Sequence, residues 1–100
     1  MEPFNHISLN ISDFSKHLFW DVDSSKLDPE RNKKLIIHRV LDYGLIEDWK
    51  MIYKYYGINR IAAVAKRIKD LNYRSASFIA LLSNTNKEDF RCYNTEQLMI

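Results

Sequence analysis

A chain of 100 residues, 46% hydrophobic and 28% charged, has the composition of one compact domain, which excludes a disordered or fibrous protein. A single cysteine rules out a disulfide framework, so the core must come from packing, to which 13 aromatic residues contribute. No window approaches the roughly 18 apolar residues of a membrane span, and the first twenty residues lack a basic start and an apolar run, so the chain reads as cytoplasmic with no membrane contact.

The net charge of +2 is too mild to imply nucleic acid, but its distribution is uneven. Residues 50–74 carry Lys50, Lys54, Arg60, Lys66, Arg67, Lys69 and Arg74 against Asp70 alone, a net +6, leaving −4 for the rest.

In chain order, residues 1–11 read as a loosely held N-terminus. Ser12 or Asp13 is placed to cap a short helix through His17 that runs into Leu18, Phe19 and Trp20, followed by a loop over 21–25. Asp28-Pro29-Glu30 is a helix start: a side-chain acceptor, a proline at the first helical position and an acid at the positive dipole end. Ile36, Ile37, Val40 and Leu41 form its apolar face and Gly44 its stop. A second stripe, Leu45, Trp49, Ile52, Tyr53 and Tyr56, stops at Gly57. A third, Ile58, Ile61, Ala62, Ala65, Ile68 and Leu71, predicts an amphipathic helix over 58–71 with its basic residues turned away.

After a break at 72–74, the run Ala76 to Leu82 is apolar almost all round, as a centrally buried helix would be. Asn86 is placed to cap a last helix from Lys87 to about Tyr93, leaving 94–100 as a tail. No strand pattern occurs, so the expectation is an all-α bundle of five or six short helices in one domain, 12–93, with a helix-turn-helix-like pair at 58–83.

Constellations with catalytic or metal-binding spacing are absent. Asp21 and Asp23 sit two apart without the Gly-Ser turn of a nucleotidyl transferase, and Lys26 and Asn32 occupy the glycine and glutamate positions of a calcium loop. They read as caps. His6, His17, His38 and Cys92 show no ligand spacing, and no glycine-rich phosphate cradle occurs. No catalytic residue, metal or cofactor is therefore assigned, and the chain reads as a non-enzymatic binding protein.

Two surfaces remain. Lys50, Lys54, Arg60, Lys66, Arg67, Lys69 and Arg74 are candidates for contacting DNA or an acidic partner, with Tyr73, Arg74, Ser75 and Ser77 opening the second helix of the pair. Helical spacing turns most of Phe19, Trp20, Tyr43, Trp49 and Tyr53 inward as core, yet Phe19 and Trp20 precede a helix start and Tyr55 escapes its stripe, making these three the candidates for docking a partner.

Leu18-Phe19-Trp20-Asp21, Arg39-Val40-Leu41, Tyr43-Gly44, Glu47-Asp48-Trp49, Tyr56-Gly57, Ser75-Ala76-x-Phe78 and Phe90-Arg91-Cys92-Tyr93 together resemble a family of small, uncharacterised bacterial proteins over Leu18 to Tyr93. That resemblance implies an antitoxin-like companion of a larger protein, an abortive-infection nucleotidyltransferase toxin. It implies no catalytic residues. The first 17 residues and the polar tail depart from it. The leading expectation is an antitoxin or adaptor acting by protein contact, and the alternative is a DNA-binding regulator using the basic helix and the start of the next.

Overall fold

The computed structural model describes residues 9–91, which hold four α-helices and several single 3-10 turns and no strand. The all-α expectation holds, and the count of five or six helices is corrected to four, because both flanking segments fold as 3-10 turns rather than helices.

The first segment, 9–27, winds through turns at Ile11–Asp13, Lys16–Phe19 and Ser24–Lys26. Asn10, rather than Ser12 or Asp13, caps the first of these through its side chain. Packing begins ahead of residue 12, since Leu9 and Ile11 already lie against the core. Phe14, Leu18 and Phe19 are buried, with the Phe14 and Phe19 rings edge to face at 5.9 Å.

Asp28 does begin a helical turn, as its position before Pro29 predicts: its Oδ1 accepts from the Glu30 and Arg31 N–H groups. These bonds hold its carboxyl below the ordinary carboxylate range. Regular helix α1 then spans Lys33–Tyr43 and buries Ile36, Ile37 and Val40. Gly44 ends it in extended backbone, not in a left-handed turn. Glycine is required there for space, because a Cβ would lie 2.6 Å from the Val40 carbonyl oxygen.

Helix α2, Ile46–Tyr56, turns Asp48, Ile52 and Tyr56 inward. Leu45 and Tyr53, read from the sequence as part of its buried stripe, are exposed, and Trp49 is half-buried. The inward line runs through Asp48 instead, one residue ahead of Trp49, which rotates the helix and leaves Tyr53 outside. Gly57 joins α2 to α3 with φ 84° and ψ 156°, a conformation open only to glycine. Gly57→Ala meets no steric obstacle, so its whole cost is backbone strain. It should lower unfolding stability by about 1–3 kcal/mol in a denaturant titration.

Helix α3, Ile58–Ala65, is shorter than the 58–71 the periodicity predicts. It closes with 3-10 type bonds from Arg67 N–H to Val64 and from Ile68 N–H to Ala65. The next carbonyl, Lys66, which Asp70 would need to continue the helix, accepts instead from Arg91 N–H at 2.9 Å. Ile68 and Leu71 still reach the core, from turns rather than from helix.

Helix α4, Tyr73–Ser83, starts earlier than expected, with Asn72 accepting from Arg74 N–H as its cap. Its most extensive packing is against α3. Ala62 and Ala65 on α3 and Ala76 and Ala80 on α4 are all buried, and small side chains let the two helices approach closely. The helix is not central. Phe78, Leu81 and Leu82 are exposed along one side of it.

Asn84 ends α4 in the left-handed conformation that asparagine tolerates. The expected last helix is a single turn, Lys87–Asp89, with no side-chain cap from Asn86, and it delivers a fully buried Phe90. The remainder of that expected helix, together with Cys92 and the tail, lies outside the described residues, as do His6 and most of the loosely held N-terminus. No described helix is long and apolar enough to cross a membrane.

Candidate functional site

The segment Leu18-Phe19-Trp20-Asp21 is fixed to the helices at several points. Arg39 on α1 donates to the Leu18 carbonyl at 2.8 Å and grips Asp21 with both ends of its guanidinium, at 2.8 and 3.0 Å. Two parallel bonds of this kind set geometry as well as energy. The Arg39 bond holds the Asp21 carboxyl below its usual range. One turn earlier, the His17 ring nitrogen lies 2.7 Å from the Tyr43 carbonyl at the end of α1.

The strongest anchor is Asp48, only 2% exposed. Its Oδ1 accepts from Ser15 N–H at 2.9 Å, and its Oδ2 from the Ser15 hydroxyl at 2.6 Å and Leu45 N–H at 2.8 Å. Burial alone would push this carboxyl up, but the Ser15 and Leu45 donors, with His17 nearby, outweigh it and hold the group below the ordinary range. The Leu45 bond is half of a capping box, since leucine offers no acceptor in return. Sequence reading missed this residue's role. An aspartate at the third position of a helix after a glycine turn was the available signal.

These ties present one ring outward. Leu18 and Phe19 are buried while Trp20 is 80% exposed. Phe19 is thereby removed as a docking candidate. In a 3-10 turn successive side chains point about 120° apart, so when Leu18 and Phe19 face the core Trp20 takes the third direction. Trp20 and Tyr43, itself exposed, border an open cleft of about 470 Å³ with His17, Leu18, Asp21 and Arg39. Trp20 and Tyr43 are thus surface, not core.

Tyr55, the third docking candidate, is engaged. It is half-buried, its hydroxyl donates to Glu30 at 2.8 Å, and its ring sits edge-on to Tyr56 at 4.8 Å. Arg60 shares that knot: it pairs with Glu30 at 2.5 Å and lies over the Tyr56 ring at 5.2 Å. The Tyr55 hydroxyl and the Arg60 guanidinium together hold Glu30 below its ordinary range. Burial raises the Tyr56 hydroxyl, which donates to the Pro29 carbonyl at 2.6 Å.

The basic residues divide into groups. Lys50 and Lys54 are exposed on α2. Lys66, Arg67 and Lys69 lie in the turns between α3 and α4, and exposed Arg74 is in the first turn of α4. None of these six forms an ion pair among the described residues. The connection from Lys66 to Asn72 is seven residues long, where a helix-turn-helix uses about three or four. The outward side of α4 beyond its first turn is Phe78, Leu81 and Leu82, which carries no base-reading groups. Ser75 is buried, its hydroxyl 2.8 Å from both the Leu41 carbonyl and Asp42.

Asp42 also accepts from Asn72 N–H and contacts His38 at 3.1 Å, tying α1 to the start of α4. Asp23 accepts from the backbone and hydroxyl of Ser25 and is a loop cap, as its spacing predicts. No group of three or more potential metal ligands occurs among the described residues.

The sequence matches a model of a family of unknown function, DUF6922, over residues 14–65. The chain belongs to that family. Its matched span takes in Phe14, the Leu18–Asp21 segment, Arg39, Tyr43 and Asp48, so the whole Trp20 cleft and its anchors lie within DUF6922. Helix α4 and the Phe90 turn lie beyond it. No curated protein and no solved structure matches the chain.

Proposed function

We propose that this DUF6922 chain is a non-enzymatic protein-binding module, antitoxin-like or adaptor-like, that docks a larger partner at the Trp20 cleft. One observation carries the reading: Trp20 is held outward by a segment whose neighbours are buried or bonded on both sides. An indole kept in water costs the fold its burial energy, and a rigid, exposed tryptophan is the residue type that most often anchors a protein interface. Tyr43 widens the apolar contact, and the Asp21–Arg39 pair gives it a polar rim. The nucleotidyltransferase-type toxin implied by the family resemblance is the partner to test first.

DNA binding stands as a second reading on a different observation, the exposed cations Arg67, Lys69 and Arg74 with half-buried Lys66 around one turn, beside the positive end of α4. Four such cations suit phosphate contact without base reading.

Both readings meet one experiment, in which the chain is expressed with its genomic neighbour, sized by chromatography with light scattering, and then titrated against promoter DNA at two salt concentrations. A stoichiometric complex, with DNA binding weak or absent, is the expected result. DNA affinity falling with log salt at a slope of about −3 to −4, abolished in the Arg67→Glu/Arg74→Glu double variant, with no protein complex, would replace the first reading by the second.

A further inference from the structure

A second apolar surface is built from residues other than those of the Trp20 cleft. On α2, Ile46, Glu47, Lys50, Tyr53 and Lys54 are exposed at spacings of one, three and four, which is one helical face. The half-buried Trp49 ring beside it meets the Tyr53 ring at a tilt at 5.5 Å and Phe78 of α4 edge to face at 5.2 Å. Phe78, Leu81 and Leu82 continue the surface along α4, with Leu81 81% exposed. Leu45 and Ile46 border a shallow groove that Phe78 closes on its far side.

Leu45, Ile46, Tyr53, Phe78, Leu81 and Leu82 are each more than two-fifths exposed, and a concentration of large apolar side chains left in water marks an interaction surface. Its α4 part lies beyond the span that matches the family.

We infer that a second copy of this chain covers this face, giving a two-fold dimer in which the two α2 helices run antiparallel. The charge pattern selects the occupant and the direction. Glu47 and Lys54 lie two turns apart at opposite ends of the face, and neither has an ion-pair partner among the described residues. Antiparallel packing about a two-fold axis between Lys50 and Met51 sets Glu47 of each copy opposite Lys54 of the other. A parallel arrangement would set like against like. Two-fold interfaces demand this self-complementarity. Lys50 lies beside the axis, where its long stem covers apolar surface while its ammonium reaches water.

Sedimentation equilibrium of the full chain up to about 100 µM tests the inference, since that range captures even a weak, micromolar dimer. A monomer–dimer equilibrium is expected. Leu81→Glu, at a position too exposed to matter for folding, should give a monomer with unchanged circular dichroism and melting temperature. Glu47→Lys should weaken the dimer about tenfold, and Glu47→Lys with Lys54→Glu in the same chain should restore it. A chain that stays monomeric throughout overturns the inference, as does a dimer indifferent to Leu81→Glu. Trp20→Ala should leave dimerisation untouched, so failure here and failure of the proposed docking at the Trp20 cleft give different results.

Discussion

Asp48→Ala should destabilise the protein by about 3–4 kcal/mol, measured as the shift of the urea unfolding midpoint at constant slope. The residue is buried, and its removal leaves the Ser15 N–H, the Ser15 hydroxyl and the Leu45 N–H without their acceptor. Each is a bond to a charged group, worth roughly 1.5–3 kcal/mol, and Ser15 and Leu45 regain only part of that from water. Out of a total of about 5–15 kcal/mol, that loss is large. It would also detach the 9–27 segment from α2, so the cleft around Trp20 should lose its shape before the helices melt.

The same carboxylate predicts an acid response of definite sign. Its folded pKa lies below its unfolded value, so the protonated form is favoured in the unfolded chain. Its contribution is complete above the unfolded carboxylate value near pH 4 and is lost as pH falls through the lower folded value. Asp21, Asp28 and Glu30 are shifted in the same direction and add to the slope. Asp48→Asn should therefore flatten the loss of stability between about pH 5 and pH 2 without abolishing it. An unchanged acid profile in that variant would show that Asp48 is not the buried anion described.

The legibility of this fold varied with what each residue's placement depends on. The inward positions of α1 and α3 follow from local periodicity, and Ile36, Ile37, Val40, Ile61, Ala62 and Ala65 are all buried where their spacing puts them. The Asp28 turn start and the Asp23 loop cap were legible for the same reason, since a short acceptor meets backbone donors two or three residues away.

Placements set by distant partners were not legible. The end of α3 depends on Arg91 taking the Lys66 carbonyl, 25 residues away, and the rotation of α2 depends on Asp48 meeting Ser15. A helix that is apolar all round carries no signal for which side faces the core, which is why α4 read as central while Phe78, Leu81 and Leu82 lie outside. In the candidate site Trp20 is legible as a docking candidate and the pairing beside it is not: Asp21 reads as a cap, whereas the structure holds it on Arg39, 18 residues away.

Adjacent residues in that site should respond in opposite ways to the same truncation. Phe19→Ala removes a buried ring that packs on Phe14 and should cost about 3–4 kcal/mol of unfolding stability. Trp20→Ala removes an exposed one and should change stability by less than about 0.5 kcal/mol. If the ring anchors a partner, however, its loss should weaken that complex at least about 30-fold, some 2 kcal/mol, read by calorimetric titration against the co-purified partner. The pair of variants separates two roles that a single one confounds, because loss of binding in Phe19→Ala could arise from unfolding alone. Full retention of partner affinity in Trp20→Ala would place the docking surface elsewhere. The exposure of Trp20 would then need another cause than recognition, since nothing among the described residues requires an indole in water between a buried phenylalanine and an ion-paired aspartate.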